Sequence, residues 1–472
     1  MRFIFDRYFH SLRLLKPFSL ALALSAFLIS GGFFAYADSW GSPGPINAGT
    51  AIVMDADTKA ILYGKNIHEQ CFPASITKLM TALLVLENCS LDETVTFSET
   101  AVTGLESGAV TAYVSVGEQM SVEDCLYALL LYSANDVANA LAEHVAGSIE
   151  AFAEMMNERA RELGCEDSDF KNPSGLTDSS HLTSVYDMAL IAGALFDNET
   201  FREIESSEYY RLPSTAKVPS GLNMRIGHRM LRNGNQYSDD RVIGGKTGFT
   251  TASGNTLVTM AESGGRRLAI VCMQDTNPQH YLDTISMMNF GFSGFENVSA
   301  SEVLGFDTLE RRLITDTVIK EGDNKLRTDR DFLITLPHGA DSSLVSYDLE
   351  YNLPKEAPES AVARLDLSYE DHTCGSYYVI NDREPSVFIE ELPPAATVAV
   401  GVSMVAIVGG VIAFLTISGG AAYHTHAVNE EKTRRRRAER RRRYRLESMG
   451  ISEEEFEREL EKYKQRHDRK RR

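Results

Sequence analysis

The feature that most limits what this chain can fold into is the wide separation of two groups of strand-like segments. Gly49 to Met54 and Ala60 to Tyr63 are short β-prone runs flanking Asp55-Ala56-Asp57-Thr58-Lys59, which has the composition of a hairpin turn. Far along the chain, Val242 to Gly248, Gly254 to Ala261 and Arg267 to Met273 read as three more strands, the last two joined through Glu262-Ser263-Gly264-Gly265. Between the groups the apolar spacing is mostly helical: Leu79 to Leu86, Leu126 to Leu131 behind a Ser121/Asp124 cap, Val137 to Val145, Phe152 to Leu163, and Val185 to Phe196. Thr94 to Phe97 is a short strand candidate, the polar stretch before Val242 reads as irregular, and a helix from about Gln279 to Phe290 closes the unit. Two short strands cannot form a stable sheet alone, so the first and last groups must share one. The expected class is therefore α+β, an antiparallel sheet with a segregated helical subdomain.

Three polar motifs fall at element boundaries in that layout. Pro73-Ala74-Ser75-Ile76-Thr77-Lys78 opens the first helix, and residues three apart on a helix are neighbours, so the Ser75 hydroxyl and the Lys78 amine can meet. The Ser75 N–H, at a first turn, has no intrahelical partner and is free to donate to an oxyanion formed beside its own hydroxyl. Ser133-Ala134-Asn135 sits on a tight bend between two helices, where its Ser and Asn could equally be caps. Lys246-Thr247-Gly248, preceded by Gly244 and Gly245, lies on a predicted strand. Ser-x-x-Lys alone is a common surface pair; the three motifs together, in this order, are not.

A serine hydroxyl needs a base, and no Ser-His-Asp set is apparent among the 11 histidines. Lys78 is the available base. Its pKa must fall from about 10.4 towards roughly 7, a differential interaction of about 4 to 5 kcal/mol, which burial and a second cation such as Lys246 would supply. Ser133 and Asn135 would relay and orient. Lys246 and Thr247 offer donors to a carboxylate beside a strand that glycine leaves open to a substrate backbone. No cofactor and no metal is expected in this chemistry.

Charge bears on topology. The net charge of -19 hides basic ends: residues 424–472 hold 18 Lys or Arg against 11 Asp or Glu. So acidic a body argues against nucleic acid as a partner. The six cysteines (71, 89, 125, 165, 272 and 374) form no C-x-x-C pair, so zinc-ribbon and thioredoxin-type readings fail; free and mostly buried thiols are expected, Cys125 and Cys272 most clearly. Residues 1–37 have Arg2, Arg7, Arg13 and Lys16 ahead of an apolar run and Ala35-Tyr36-Ala37, the pattern of a secretory signal cleaved after Ala37. Ala395 to Gly419 is 25 residues without charge. As a helix it would span about 37 Å, against a hydrocarbon core of about 30 Å. Arg434 to Arg437 and Arg440 to Arg443 follow, favouring a cytoplasmic tail. The expected order is signal 1–37, enzyme domain 38–294, a small all-β domain 295–392 acting as spacer or docking module, a transmembrane helix 395–423 and a basic tail 424–472.

With those motifs in place the sequence resembles the penicillin-recognising serine enzymes, and among them the D-alanyl-D-alanine carboxypeptidases or low-molecular-mass penicillin-binding proteins. The likeness covers about residues 45 to 292, including Phe170-Lys171-Asn172-Pro173-Ser174-Gly175-Leu176 and His181 to Ala189. It implies a β-lactamase/transpeptidase-like fold, with Ser75 as acylated nucleophile, Lys78 as proton acceptor and Ser133 with Asn135 as second motif. Lys246, Thr247 and Gly248 would hold the terminal carboxylate, and the Phe249 N–H would join that of Ser75 in the oxyanion hole. The implied substrate is a peptidoglycan stem peptide ending in D-Ala-D-Ala, with β-lactams as covalent inhibitors and the domain held outside the cell membrane. Ala134 stands where the group often has glycine, and the 295–392 region resembles the family's C-terminal domain only loosely. Two other readings use the same motifs: a class A-like β-lactamase, for which no Glu-x-x-x-Asn element is found, and a membrane-anchored sensor of wall peptides or β-lactams that signals through the basic tail.

Overall fold

The computed structural model describes residues 40–382 apart from 323, 354–356 and 359. In chain order the elements used below are β1 (Thr50–Asp55), β2 (Ile61–Lys65), α1 (Lys78–Asn88), β3 (Thr94–Thr96), β4 (Gln119–Ser121), α2 (Val122–Tyr127), α3 (Asn135–Ala146), α4 (Ile149–Glu162), α5 (Val185–Leu195) and α6 (Glu199–Ser206). They continue with β5 (Tyr209–Leu212), β6 (Leu222–Arg225), β7 (Val242–Thr250), β8 (Gly254–Ser263), β9 (Arg266–Asp275) and α7 (Gln279–Gly294). Last come β10 (Phe295–Ser299), α8 (Phe306–Thr315), β11 (Leu326–Thr328), β12 (Leu333–Pro337), β13 (Val345–Glu350), β14 (Ala361–Tyr369) and β15 (His372–Asn381).

The first and last strand groups do share one antiparallel sheet, in the order β2-β1-β9-β8-β7. The join is β1 against β9, with Thr50 opposite Met273 and Asp55 opposite Leu268. Side chains alternate across a strand, and here both faces are covered. Ile52, Met54, Val258, Met260, Val271 and Met273 face the core built on the middle helices. Val53, Leu257, Leu268, Ile270 and Cys272 face a second core with Met287 and Met288 of α7. That explains the near-continuous apolar runs of β8 and β9, and it leaves β7 as a free edge beside the start of α1.

Residues 295–382 depart from the expected all-β spacer. They contain a helix, α8, whose Leu309 and Leu313, four apart on one face, are fully buried. So short an apolar stripe among charged neighbours gave no helical signal in the sequence. Nor does this region stand apart: Leu365, Leu367, Tyr377 and Val379 belong to the same buried cluster as Val53 and Leu62. The β1–β2 turn is held in it, with Asn297 Nδ2 donating to Asp55 Oδ2 (3.1 Å), Arg330 Nε to the Asp57 carbonyl (2.8 Å), and the Thr58 and Thr335 hydroxyls 2.7 Å apart. The polar stretch before β7 is also more regular than expected. It holds α6, which buries Phe201 and Ile204, and a hairpin with Tyr209 opposite Arg225. All six cysteines are free, five of them buried and Cys89 half-buried.

The signal segment 1–37, the span 395–423, the tail 424–472 and residues 383–392 of the expected β domain lie outside the described residues. Among those described, no helix is long and apolar enough to cross a membrane.

Candidate active site

Ser75 lies in a 3-10 turn, Ala74–Thr77, and the α-helix proper begins one turn later than the sequence suggests, at Lys78. Ala74 has φ 52°, a left-handed value that costs an alanine energy and is sustained only by its surroundings. Those surroundings are specific. The Thr256 hydroxyl donates to the Pro73 carbonyl (2.8 Å), and Gly175 (φ 79°) passes so close that a Cβ there would lie 1.8 Å from the Ala74 oxygen. His181 fixes the turn to the 171–176 loop. Its Nδ1 accepts from the Lys171 N–H (3.0 Å), so its Nε2 carries the proton and donates to Thr77 Oγ1, 2.9 Å away. Burial holds the His181 pKa down at about 4, in keeping with this neutral ring.

Lys78 is fully buried, and its Nζ has three neighbours: Ser75 Oγ at 3.1 Å, Asn135 Oδ1 at 2.8 Å and the Ser174 carbonyl oxygen at 2.6 Å. The two carbonyl oxygens can only accept. A neutral amine has two N–H donors and one lone pair, so both donors are used and the lone pair is left for the one neighbour able to give a proton, the Ser75 hydroxyl. Burial first, and then the Lys246 charge, push the Lys78 pKa well below its usual value, while Asp136 opposes them. The neutral form that the hydrogen bonding accommodates is the one that the electrostatics favour.

Asn135 is the first residue of α3. It is held by its own backbone N–H and by Nδ2, both donating to the Val110 carbonyl (2.8 and 2.9 Å), which aims Oδ1 at Lys78. The next residue, Asp136, is buried and accepts from the Ala112 and Val137 N–H groups, pinning the 110–114 segment over the site. Ser133 lies on the tight bend between two helices that the sequence suggests. α2 continues as a π-helical turn, Ala128–Tyr132, and Ser133 closes it at φ 67°, its hydroxyl making no hydrogen bond to a described residue. Among the described residues no hydrogen bond joins it to Lys78, whose Nζ partners are Ser75, Asn135 and Ser174.

Strand β7 brings the third motif to the other side of Ser75. Gly248 packs so closely that a Cβ would lie 2.8 Å from the Ser75 nitrogen and 2.4 Å from Thr256 Oγ1. Only glycine lets this edge approach Ser75 so closely. Phe249, next along the strand, is two-thirds exposed (66%) beside the site. Lys246 is buried, its Nζ donating to the Thr247 carbonyl (3.2 Å). Beneath it Glu205, at the end of α6, is buried too, accepting through Oε2 from the Gly245 N–H (3.1 Å), while Oε1 has no partner among the described residues. Burial raises the Glu205 pKa and lowers that of Lys246; each charge works against the shift of the other.

Ser75, Lys78 and Asn135 thus meet directly, the Lys246 charge acts on Lys78, and β7 brings Gly248, flanked by Thr247 and Phe249, against the Ser75 nitrogen. Sequence reasoning gave no role to Ser174, Gly175, His181 or Glu205. The first acts through a main-chain oxygen, which has no side-chain signature; the turn-rich Phe170–Leu176 loop was the available hint. A cavity of about 610 Å³ lined by Lys59, Cys165, Tyr186, Arg330 and Tyr377 lies elsewhere, at the seam with β14 and β15. The buried amine beside a hydroxyl, and not the size of a hollow, marks the chemistry.

The D-alanyl-D-alanine carboxypeptidase family profile matches residues 38–277. The D-alanyl-D-alanine carboxypeptidase DacF of Bacillus subtilis is 34% identical over 256 residues, 53% of this chain and 63% of that protein. DacA of Haemophilus influenzae, with the same enzyme name, is 29% identical over 337 residues, 68% of this chain and 80% of its own length. Among solved structures, penicillin binding protein 5 from Haemophilus influenzae superposes with a TM-score of 0.56 at 24% identity, covering 72% of this chain and 98% of that one, a likeness of fold. The chain therefore spans a little under two thirds of the Bacillus relative and more of the Haemophilus ones.

Proposed function

We propose, from the premise that this chain belongs to the D-alanyl-D-alanine carboxypeptidase family of serine peptidases, that it removes the terminal D-alanine from peptidoglycan stem peptides ending in D-Ala-D-Ala and is acylated by β-lactams at the same serine. The observation that carries this reading is the Lys78 nitrogen, buried, 3.1 Å from Ser75 Oγ and with its donors occupied elsewhere.

In the proposed reaction the Ser75 O–H gives its proton to Lys78 Nζ as Oγ attacks the carbonyl of the penultimate residue. The developing oxyanion accepts from the N–H groups of Ser75 and Phe249. Lys246 and Thr247 hold the free carboxylate of the last residue, which selects a chain terminus over an internal bond. Lys78 returns its proton to the departing amine, with the Ser133 hydroxyl as relay, and D-alanine leaves. Lys78, neutral again, then deprotonates the water that hydrolyses the ester. Asn135 and the Ser174 carbonyl keep the amine aimed throughout.

The sequence supports an exported, membrane-tethered enzyme: a signal cleaved after Ala37, a span at 395–423 and a basic cytoplasmic tail at 424–472. A class A-like β-lactamase is disfavoured by what faces Lys78 from the 170–176 loop, a main-chain carbonyl and not the water-activating glutamate such an enzyme needs. The test is release of the last residue from a pentapeptide ending in D-Ala-D-Ala, read as D-alanine from the free acid and as D-alanine amide from the same peptide amidated at its C-terminus. Release from the free acid alone, abolished in Ser75→Ala, is expected. Equal release from both would remove the carboxylate-binding role of Lys246, and no release from either would remove the proposal.

A further inference from the structure

Cys89, Glu93 and His144 bring a thiol, a carboxylate and an imidazole together at the end of the helical subdomain remote from Ser75. One donor atom of each lies within 4.8 Å of the other two. Cys89 follows the last residue of α1 in an extended conformation, its N–H still bonded to the Val85 carbonyl (2.9 Å). Its thiol makes no hydrogen bond to a described residue. Glu93 is folded back by a tight turn: Oε1 accepts from the Ser90 N–H (2.7 Å), and Oε2 lies 3.0 Å from His144 Nε2. His144 stands in the last turn of α3. One carboxylate oxygen is thus already fixed by the backbone, the kind of outer support that metal ligands commonly have.

We propose that Cys89, Glu93 and His144 bind a zinc ion that ties the far ends of α1 and α3 together. Thiolate, imidazole and carboxylate are the three donor types zinc takes, whereas sulfur and imidazole do not suit calcium or magnesium. Tetrahedral ligands at zinc stand about 3.3 to 3.8 Å apart. The observed spacing reaches this through small side-chain rotations at a partly exposed site, whose open side leaves the fourth position to water. Coordination replaces the thiol proton of Cys89 by the metal and puts the ion between Glu93 Oε2 and His144 Nε2. The sequence hid this site because His144 is far along the chain from Cys89 and no C-x-x-C pair announces it. The helix α1 has 11 residues, so the site is about 16 Å from Lys78 and outside the chemistry. Its effect is on rigidity, since α1 and α3 carry Lys78 and Asn135 at their other ends.

The test uses the full-length protein, stripped with a chelator and titrated with Co²⁺ as a spectroscopic probe, then with Zn²⁺. Expected are one Co²⁺ per chain with a thiolate-to-cobalt charge-transfer band, displacement by Zn²⁺, and a zinc-dependent rise in Tm. Cys89→Ser abolishes the band, and His144→Gln weakens Co²⁺ binding by at least about tenfold. Circular dichroism in chelator verifies that both variants are folded; the other five thiols are buried. Should wild-type protein show no charge-transfer band at submillimolar Co²⁺, or the band survive in Cys89→Ser, the cluster is a His–Glu ion pair beside a bystander thiol and the proposal falls.

Discussion

The Lys78 side-chain nitrogen lies 2.6 Å from the main-chain oxygen of Ser174, so a loop almost a hundred residues away sets the direction in which the amine faces Ser75. The loop is held in turn by Asn172, whose Oδ1 accepts from the Ser174 and Gly175 N–H groups (3.2 and 2.8 Å), and by His181. The amine is held from two sides, by this carbonyl and by Asn135.

On the proposed mechanism, acylation by a penicillin is expected to show a bell-shaped dependence on pH. The rate rises as Lys78 loses its proton, at a pKa well below the usual lysine range, and falls as Lys246 loses the charge that holds the carboxylate. Glu205 helps keep Lys246 charged, so Glu205→Gln moves the alkaline limb to lower pH. Stopped-flow acylation at a series of pH values reads both limbs; an unmoved alkaline limb in Glu205→Gln contradicts the assignment.

Ser133 and Asn135 separate activity from stability. The Ser133 hydroxyl makes no hydrogen bond to a described residue, so Ser133→Ala is expected to leave Tm within about a degree of wild type and to slow turnover by about 10² to 10⁴-fold as a lost proton relay. Asn135→Ala strands a buried Lys78 N–H and destabilises by about 1 to 3 kcal/mol as well as slowing acylation. Thermal melts and acylation rates on the same preparations decide this.

His181 links stability to acid. Its folded pKa is about 4 against 6.5 for the unperturbed group, so between these values the unfolded chain binds more protons than the folded one. Stability from this residue is complete above about pH 6.5 and is lost as pH falls towards 4, by about 3 kcal/mol in all. His228, also buried and lowered to about 3, adds in the same direction. Urea unfolding at pH 7 and 4.5 should show a smaller loss in His181→Gln than in wild type.

Two glycines fail differently when given a methyl group. Gly175→Ala adds a clash with the Ala74 carbonyl to a left-handed φ of 79° and lowers the yield of folded protein. Gly248→Ala pushes β7 off the Ser75 nitrogen and Thr256. It folds and acylates at least about a hundredfold more slowly. Soluble yield and acylation rate, measured together, distinguish the two.

Much of this was legible in the sequence because side-chain spacing carried it. Ser75 and Lys78 are three apart, Lys246-Thr247-Gly248 follows a glycine pair, and the strand groups had to share a sheet. What stayed hidden acts through backbone or through distance. The Ser174 oxygen belongs to any residue, α8 shows too short an apolar stripe, and Glu205 looks like one more surface acid of α6 until burial places it under β7. The extra turn before α1 was missed since Pro73 and good helix formers mark a helix start without separating a 3-10 turn from an α turn.

Topology has its own test. Protein ending at residue 392 is predicted to leave the membrane fraction while keeping full acylation, because every residue of the proposed site lies before β8. Retention of the shortened chain in membranes would place the anchor elsewhere, the uncleaved 1–37 segment first.

The central claim is that one serine, activated by an uncharged buried lysine, does the chemistry. Intact-mass and peptide-mapping spectrometry after exposure to benzylpenicillin tests it most directly. One penicilloyl group per chain on the peptide containing Ser75, absent from Ser75→Ala and strongly slowed in Lys78→Ala, is the predicted result. An adduct on another residue, or an equally labelled Ser75→Ala protein, would contradict it.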